Sequence, residues 1–95
     1  MSLQRIPTSY ETVTIEGAEF KIRPITRAEA ARCQKLVADG TDVADLEILV
    51  VSYGTDTAED ETRDWYASTP SHAVDALLNA IKDLSRLDEG AQKSG

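Results

Sequence analysis

Between Ser68 and Leu87 the chain reads "STPSHAVDALLNAIKDLSRL", and no other stretch restricts the fold as much. Val74, Leu77, Leu78, Ile81, Leu84 and Leu87 recur three or four residues apart, the spacing that lines one face of an α-helix. Thr69 stands at the N-cap position and Pro70 at the first helical position, where its missing N–H costs nothing. The spacing predicts a helix over about 70–87 as the main packing element. Such a helix is stabilised by packing of its apolar face rather than by propensity, so the preceding residues must supply the elements that cover it.

The first of these is a β-hairpin. In "ETVTIEGAEFKIRPI", Val13 and Ile15 alternate onto one face of a first arm, and Phe20 and Ile22 onto one face of a second. The pattern predicts strands over about 12–16 and 19–23, with Gly17 supplying the positive φ of the turn. Pro24 has no N–H for a ladder bond and closes the second strand. "TRAEAARCQKLVADG" follows, where Thr26 and Glu29 have the spacing of a capping box and Gly40 supplies a stop. A helix is expected over about 27–39 with Ala30, Cys33, Leu36 and Val37 on one face, Cys33 serving as a small core residue.

"TDVADLEILVVSYG" is rich in β-formers, yet Leu46, Leu49, Val50 and Tyr53 fall at helical spacing. Acidic residues in a first turn favour a helix over about 43–53, capped by Thr41 or Asp42 and ended by Gly54. Ile48 and Val51 lie off its main stripe, so this helix is either sandwiched between neighbours or partly offered to a partner. Thr57 with Asp60 is expected to cap a third helix over about 58–67. Its adjacent aromatics, Trp65 and Tyr66, cannot face the same way. The expected architecture is α+β and mainly α, an N-terminal β-hairpin followed by a bundle of about four helices. Residues 1–10 are expected to be a flexible N-terminus, 11–87 a single domain, and 88–95 a disordered polar tail.

Charge narrows the partners. Residues 1–38 hold six Lys/Arg against four Asp/Glu, whereas residues 39–95 hold four against thirteen, so the second part carries −9 of the net −7 and the first part +2. An acidic surface keeps a small domain in solution and does not suit phosphate neutralisation, so nucleic acid is not an expected partner. The opening residues have no apolar signal-peptide core and no apolar run is long enough for a bilayer span, so neither export nor a membrane is expected. One Cys and one His, Cys33 and His72, leave no disulfide framework and no zinc ligand set. His72 falls in the first turn of the last helix, where a neutral imidazole is favoured, and no acid/base or metal role is expected of it. The run "EDE" at 59–61 lacks the alternating ligands and central Gly of a calcium loop and reads as a solvated helix start. No nucleophile with a base, carboxylate pair or phosphate-cradling loop can be assembled. The expectation is a protein that is not an enzyme and needs no cofactor.

Three stretches together resemble the tail assembly chaperones of long-tailed bacteriophages. "VTIEGAEFKIRPITRAEAAR" is similar to that family's opening hairpin, which ends in an Arg-Pro-[Leu/Ile]-Thr step into a helix. "LEILVVSYGTDTAED" resembles its middle helix and the acidic segment that follows. "WYASTPSHAVDALLNAIKDLSRLD" resembles the closing helix with its Ile-x-x-Leu-Ser-x-Leu pattern. The resemblance implies a protein of the host cytoplasm, absent from the mature virion. Such chaperones coat the tape measure protein and release it as tail tube subunits polymerise. It also implies self-association and, in many relatives, a longer form made by ribosomal frameshifting.

A chaperone of an extended helical client needs exposed apolar surface. Helical faces, not the resemblance, nominate Leu49, Tyr53, Trp65 and Tyr66 for client binding or self-association, with Leu36 and Val37 in reserve. The alternative that all six are core stands beside this, since so short a chain has few apolar residues to spare. Two competing functions are an acidic inhibitor or decoy for a basic partner, and a structural tail or head–tail connector component.

Overall fold

The computed structural model describes residues 3–86. An antiparallel hairpin of β1 (Glu11–Ile15) and β2 (Ala18–Ile22) precedes four helices, α1 (Arg27–Ala38), α2 (Val43–Thr55), α3 (Glu59–Ser68) and α4 (Ser71–Ser85). This is the expected hairpin-plus-bundle architecture. The expectations of helix at Leu87 and of a tail at 88–95 lie outside the described residues.

The hairpin register pairs Ile15 with Ala18 and Val13 with Phe20, which leaves a two-residue turn of Glu16 and Gly17. Both have positive φ, 52° and 83°, the backbone of a type I′ turn whose twist matches the strands. Each strand therefore starts one residue earlier than the alternation suggests. The turn is set by where the chain can take positive φ, and Glu16 accepts it beside Gly17.

Ile22 from β2, Ile25 after it, Val51 from α2 and Val74, Leu77, Leu78 and Ile81 from α4 form the principal core cluster. The closing helix is thus the main packing element: Ile81 is 0% exposed and Leu77 1%. On α2 the expected stripe is displaced. Ile48, Leu49, Val51 and Gly54 are buried, while Leu46, Val50 and Tyr53 are half-buried. The cause is that α1, α3, α4 and β2 all pack against α2, which buries the side that a one-sided helical wheel leaves out.

Gly54 does not end α2. The helix continues to Thr55, and Asp56 at φ 53° supplies the left-handed stop. A Cβ on Gly54 would lie 2.6 Å from Ile81 Cδ1, so the glycine is there to let α2 approach α4. Nor does Thr57 cap α3. Its hydroxyl accepts from Thr55 Oγ1 at 2.8 Å, and Ala58 takes the N-cap position without a side-chain bond. Three acidic residues in the first turn, Glu59, Asp60 and Glu61, face the positive end of the helix dipole instead. Pro70 rather than Thr69 is the N-cap of α4, its carbonyl accepting from the amides of Ala73 and Val74. The Thr69 hydroxyl turns back to the Trp65 carbonyl and closes α3.

Candidate interaction surface

The segment Arg23–Thr26 joins the hairpin to α1 and sets where α1 lies. Its first hold is local. Thr26 Oγ1 accepts from the Glu29 amide at 3.2 Å, and the Glu29 carboxylate accepts from the Thr26 amide at 2.9 Å, forming the expected capping box. The second hold is long-range and was not foreseen. Arg23 forks onto the same Glu29, Nη1 to Oε1 at 3.0 Å and Nη2 to Oε2 at 2.9 Å, and its Nε donates to Asp56 at 2.9 Å. Bidentate geometry makes this the strongest kind of ion pair available to the chain. The Arg23 amide donates to the Gly54 carbonyl at 2.8 Å, and the Ile25 amide donates to Ser85 Oγ at 2.7 Å. One short segment therefore ties β2, α1, the end of α2 and the end of α4. The hydrogen-bonded Arg23 guanidinium holds the Glu29 carboxyl below the usual carboxylate range.

Pinned at its start, α1 has no buried residue along its whole length. Ala30, Cys33 and Leu36 are half-buried and Val37 is 60% exposed. Across the following turn, in which Gly40 has φ 85°, Val43 opens α2 at 69% exposure. Leu46 and Val50 continue along α2 half-buried. An apolar stripe thus runs over α1 and the start of α2. Partial burial raises the Cys33 thiol pKa, which keeps it protonated and unreactive near neutrality.

The six nominated residues do not form one patch. Leu36 and Val37 lie on the α1 stripe. Leu49 is only 7% exposed and belongs to the interior, a correction that follows from the neighbours packed around α2. Tyr53 packs partly against the principal core, where burial raises its phenol pKa. Trp65 and Tyr66 diverge as their adjacency requires. Trp65 meets Phe20 edge-to-face at 5.9 Å between centroids, while Tyr66 donates to Glu47 Oε1 at 2.6 Å. That bond, ahead of desolvation, pushes the Tyr66 pKa up to about 12. The residues missed by sequence reasoning are the joint-makers Arg23, Asp56 and Ser85 and the exposed Val43. Only Val43 had a local signal, an apolar residue in the first turn of a predicted helix.

Among the described residues, no group of three or more His, Cys, Asp and Glu could hold a metal ion, and no buried side-chain N or O lacks a hydrogen-bond partner. His72 meets Glu16 at 3.2 Å on the surface, both exposed. No helix among these residues is long and apolar enough to cross a membrane. Comparison of the chain with profiles of known families, with curated proteins and with solved structures finds no match.

Proposed function

We propose that this chain is a tail assembly chaperone of a long-tailed bacteriophage. It acts without catalysis in the host cytoplasm, covering apolar helical segments of the tape measure protein until tube subunits replace it. The observation that carries the proposal is the partly exposed apolar stripe of α1 and the start of α2, with Val37 and Val43 the most exposed large apolar residues within the regular elements. A stripe of this kind accepts the apolar face of an amphipathic helix at the i, i+3, i+4 spacing. The −9 carried by residues 39–95 keeps the loaded complex in solution. Further support comes from where the resembling motifs fall. The Arg-Pro-Ile-Thr step and the Ser of the Leu-Ser pattern meet at the Ile25–Ser85 hydrogen bond, so separate parts of the resemblance form one joint.

The test is co-expression with a candidate tape measure protein. The soluble fraction of the client should rise with the wild-type chain and fall back with a Val37→Asp/Val43→Asp variant whose own thermal transition is unchanged. A client equally insoluble with and without the chain overturns the proposal. A complex that forms but dissociates steeply with added salt points instead to the acidic-decoy reading, because burial-driven contacts persist in salt.

A further inference from the structure

Residues 3–10 form no regular element, and they carry the two most exposed large apolar side chains, Leu3 at 93% and Ile6 at 89%. The base of this arm is fixed: Tyr10 donates to Asp56 at 3.0 Å, and Lys21 Nζ lies 5.1 Å from the centre of its ring. Pro7 biases Ile6 to extended or polyproline backbone. In polyproline geometry, at three residues per turn, Leu3 and Ile6 share a face roughly 9 Å apart.

The point of attachment lies beside unfilled apolar space. A cavity of about 150 Å³ has Phe20, Val51, Trp65 and Leu77 on its walls and Thr55 and Thr57 at one end. Those two threonines flank Asp56, so the arm is bonded one residue from the cavity wall. A second cavity, of about 200 Å³, shares Phe20 and Trp65 and continues to Ile15 and Ala73. Each is large enough for one aliphatic side chain, since a dry cavity near 150 Å³ accepts a benzene ring. Counted back from Tyr10, Ile6 lies four residues away and Leu3 seven, spans of roughly 13 and 23 Å in an extended chain. The arm therefore offers its apolar side chains in the order in which the cavities follow Asp56.

We propose that the arm is a strap that closes over the Phe20–Trp65 cavities of its own molecule, with Ile6 seated beside Thr55 and Leu3 beside Ile15. The Tyr10 tether favours this seat over the same seat on another copy, because a short linker holds its segment at an effective concentration of about millimolar. Arg5 lies off the apolar face and is left at the rim, where the cavities carry Glu61 and Glu16. Closure removes two aliphatic side chains from water and orders a few residues, a cost that Pro7 lowers by restricting the free arm. The structure shows the strap open, with plugs and cavities both exposed; closed, it hides them together. This inference uses no assignment of function and stands apart from the chaperone reading.

Trp65 is the only Trp, so its indole N–H is a single reporter between the two cavities. In a Cys33→Ser background, a nitroxide attached through Gln4→Cys should broaden that signal in the isotope-labelled full chain. Leu3→Ser/Ile6→Ser should abolish the broadening without adding charge near the acidic rim. In the chain with its natural Cys33 and no label, the same pair should shift Trp emission to the red. Leu3, Gln4 and Ile6 are exposed, so these variants should keep the wild-type far-UV spectrum. Nitroxide-labelled chains mixed with isotope-labelled chains that lack the nitroxide should leave the indole signal sharp. An indole signal untouched by the nitroxide, or broadening that survives Leu3→Ser/Ile6→Ser, overturns the proposal. Equal broadening in the mixed sample also overturns it, because the arm would then reach another molecule.

Discussion

Helices α1 and α4 are both amphipathic in sequence, yet the molecule holds them by different forces. α4 buries Ala73, Val74, Leu77, Leu78 and Ile81, whereas no residue of α1 is fully buried and Ala30, Cys33 and Leu36 are half-buried. What α1 has instead is polar: a capping box and the forked Arg23–Glu29 pair at its start, with Arg23 also joined to Asp56. Apolar burial is strong and indifferent to direction, while charged hydrogen bonds fix direction and cover no surface. The contrast explains how a small domain can keep an apolar stripe exposed on a well-placed helix. Arg23 orients α1 at its start, so its outer residues such as Val37 can stay exposed.

The contrast breaks most sharply at Ile81. It is 0% exposed and meets Gly54, so Ile81→Ala should cost about 3–4 kcal/mol, lowering the denaturation midpoint of the whole molecule. If only part of the far-UV signal were lost, α4 would not be the common support for the other elements.

Gly54→Ala tests the same contact from the α2 side. The new methyl would lie 2.6–2.8 Å from three Ile81 carbons that have no open side to move into. Overpacking costs about 1–3 kcal/mol and the helix gains about 1 kcal/mol from losing glycine, leaving a net loss of up to about 2 kcal/mol. The cost should shrink in an Ile81→Val background, a coupling that a double-mutant cycle measures directly. Additive effects would mean that Gly54 serves something other than the approach of α4.

Arg23→Met addresses the polar side of the comparison. Partial exposure of the pair, 12% and 20% for the two side chains, limits the global loss to about 1–2 kcal/mol. Hydrogen exchange should locate the loss, with α1 amides opening earlier and α4 amides keeping their protection. The pH dependence has a fixed sign. Glu29 has a folded pKa below its unfolded value, so its contribution is present above the ordinary carboxylate range and is lost as pH falls through the folded pKa. In the Met variant the acid-side loss assigned to α1 should be largely absent.

How legible these features were depended on how local their causes are. The hairpin, four helices and the Thr26–Glu29 box follow from spacings within one element, and all were readable. Gly54 was misread because a glycine near a helix end has two uses, and only Ile81, far away in sequence, decides between them. Leu49 was assigned to a surface because a single helix cannot reveal that it has neighbours on several sides. The same limit hid Arg23, whose partners Glu29 and Asp56 are joined only by the fold. The exposed stripe itself was half visible: Leu36 and Val37 were nominated from their helical face, and Val43 was not.

The smallest expected effect lies at the seam between the two regimes, where Tyr66 of α3 donates to Glu47 of α2. Neutral Tyr66 is a donor and the phenolate is not, so the folded pKa is raised from 10.0 to about 12. A raised pKa on an acid means that the stabilisation is fully present below pH 10 and is lost as pH climbs towards about 12. Tyr66→Phe removes the bond and leaves the ring, which should cost about 1 kcal/mol or less at neutral pH because the bond is near solvent. In a phenolate absorbance titration of the folded protein, that variant should lack the step nearest pH 12. The high-pH loss of stability should shrink with it. A titration unchanged by Tyr66→Phe would show that α3 docks on α2 through its apolar contacts alone, moving this seam to the burial side of the comparison.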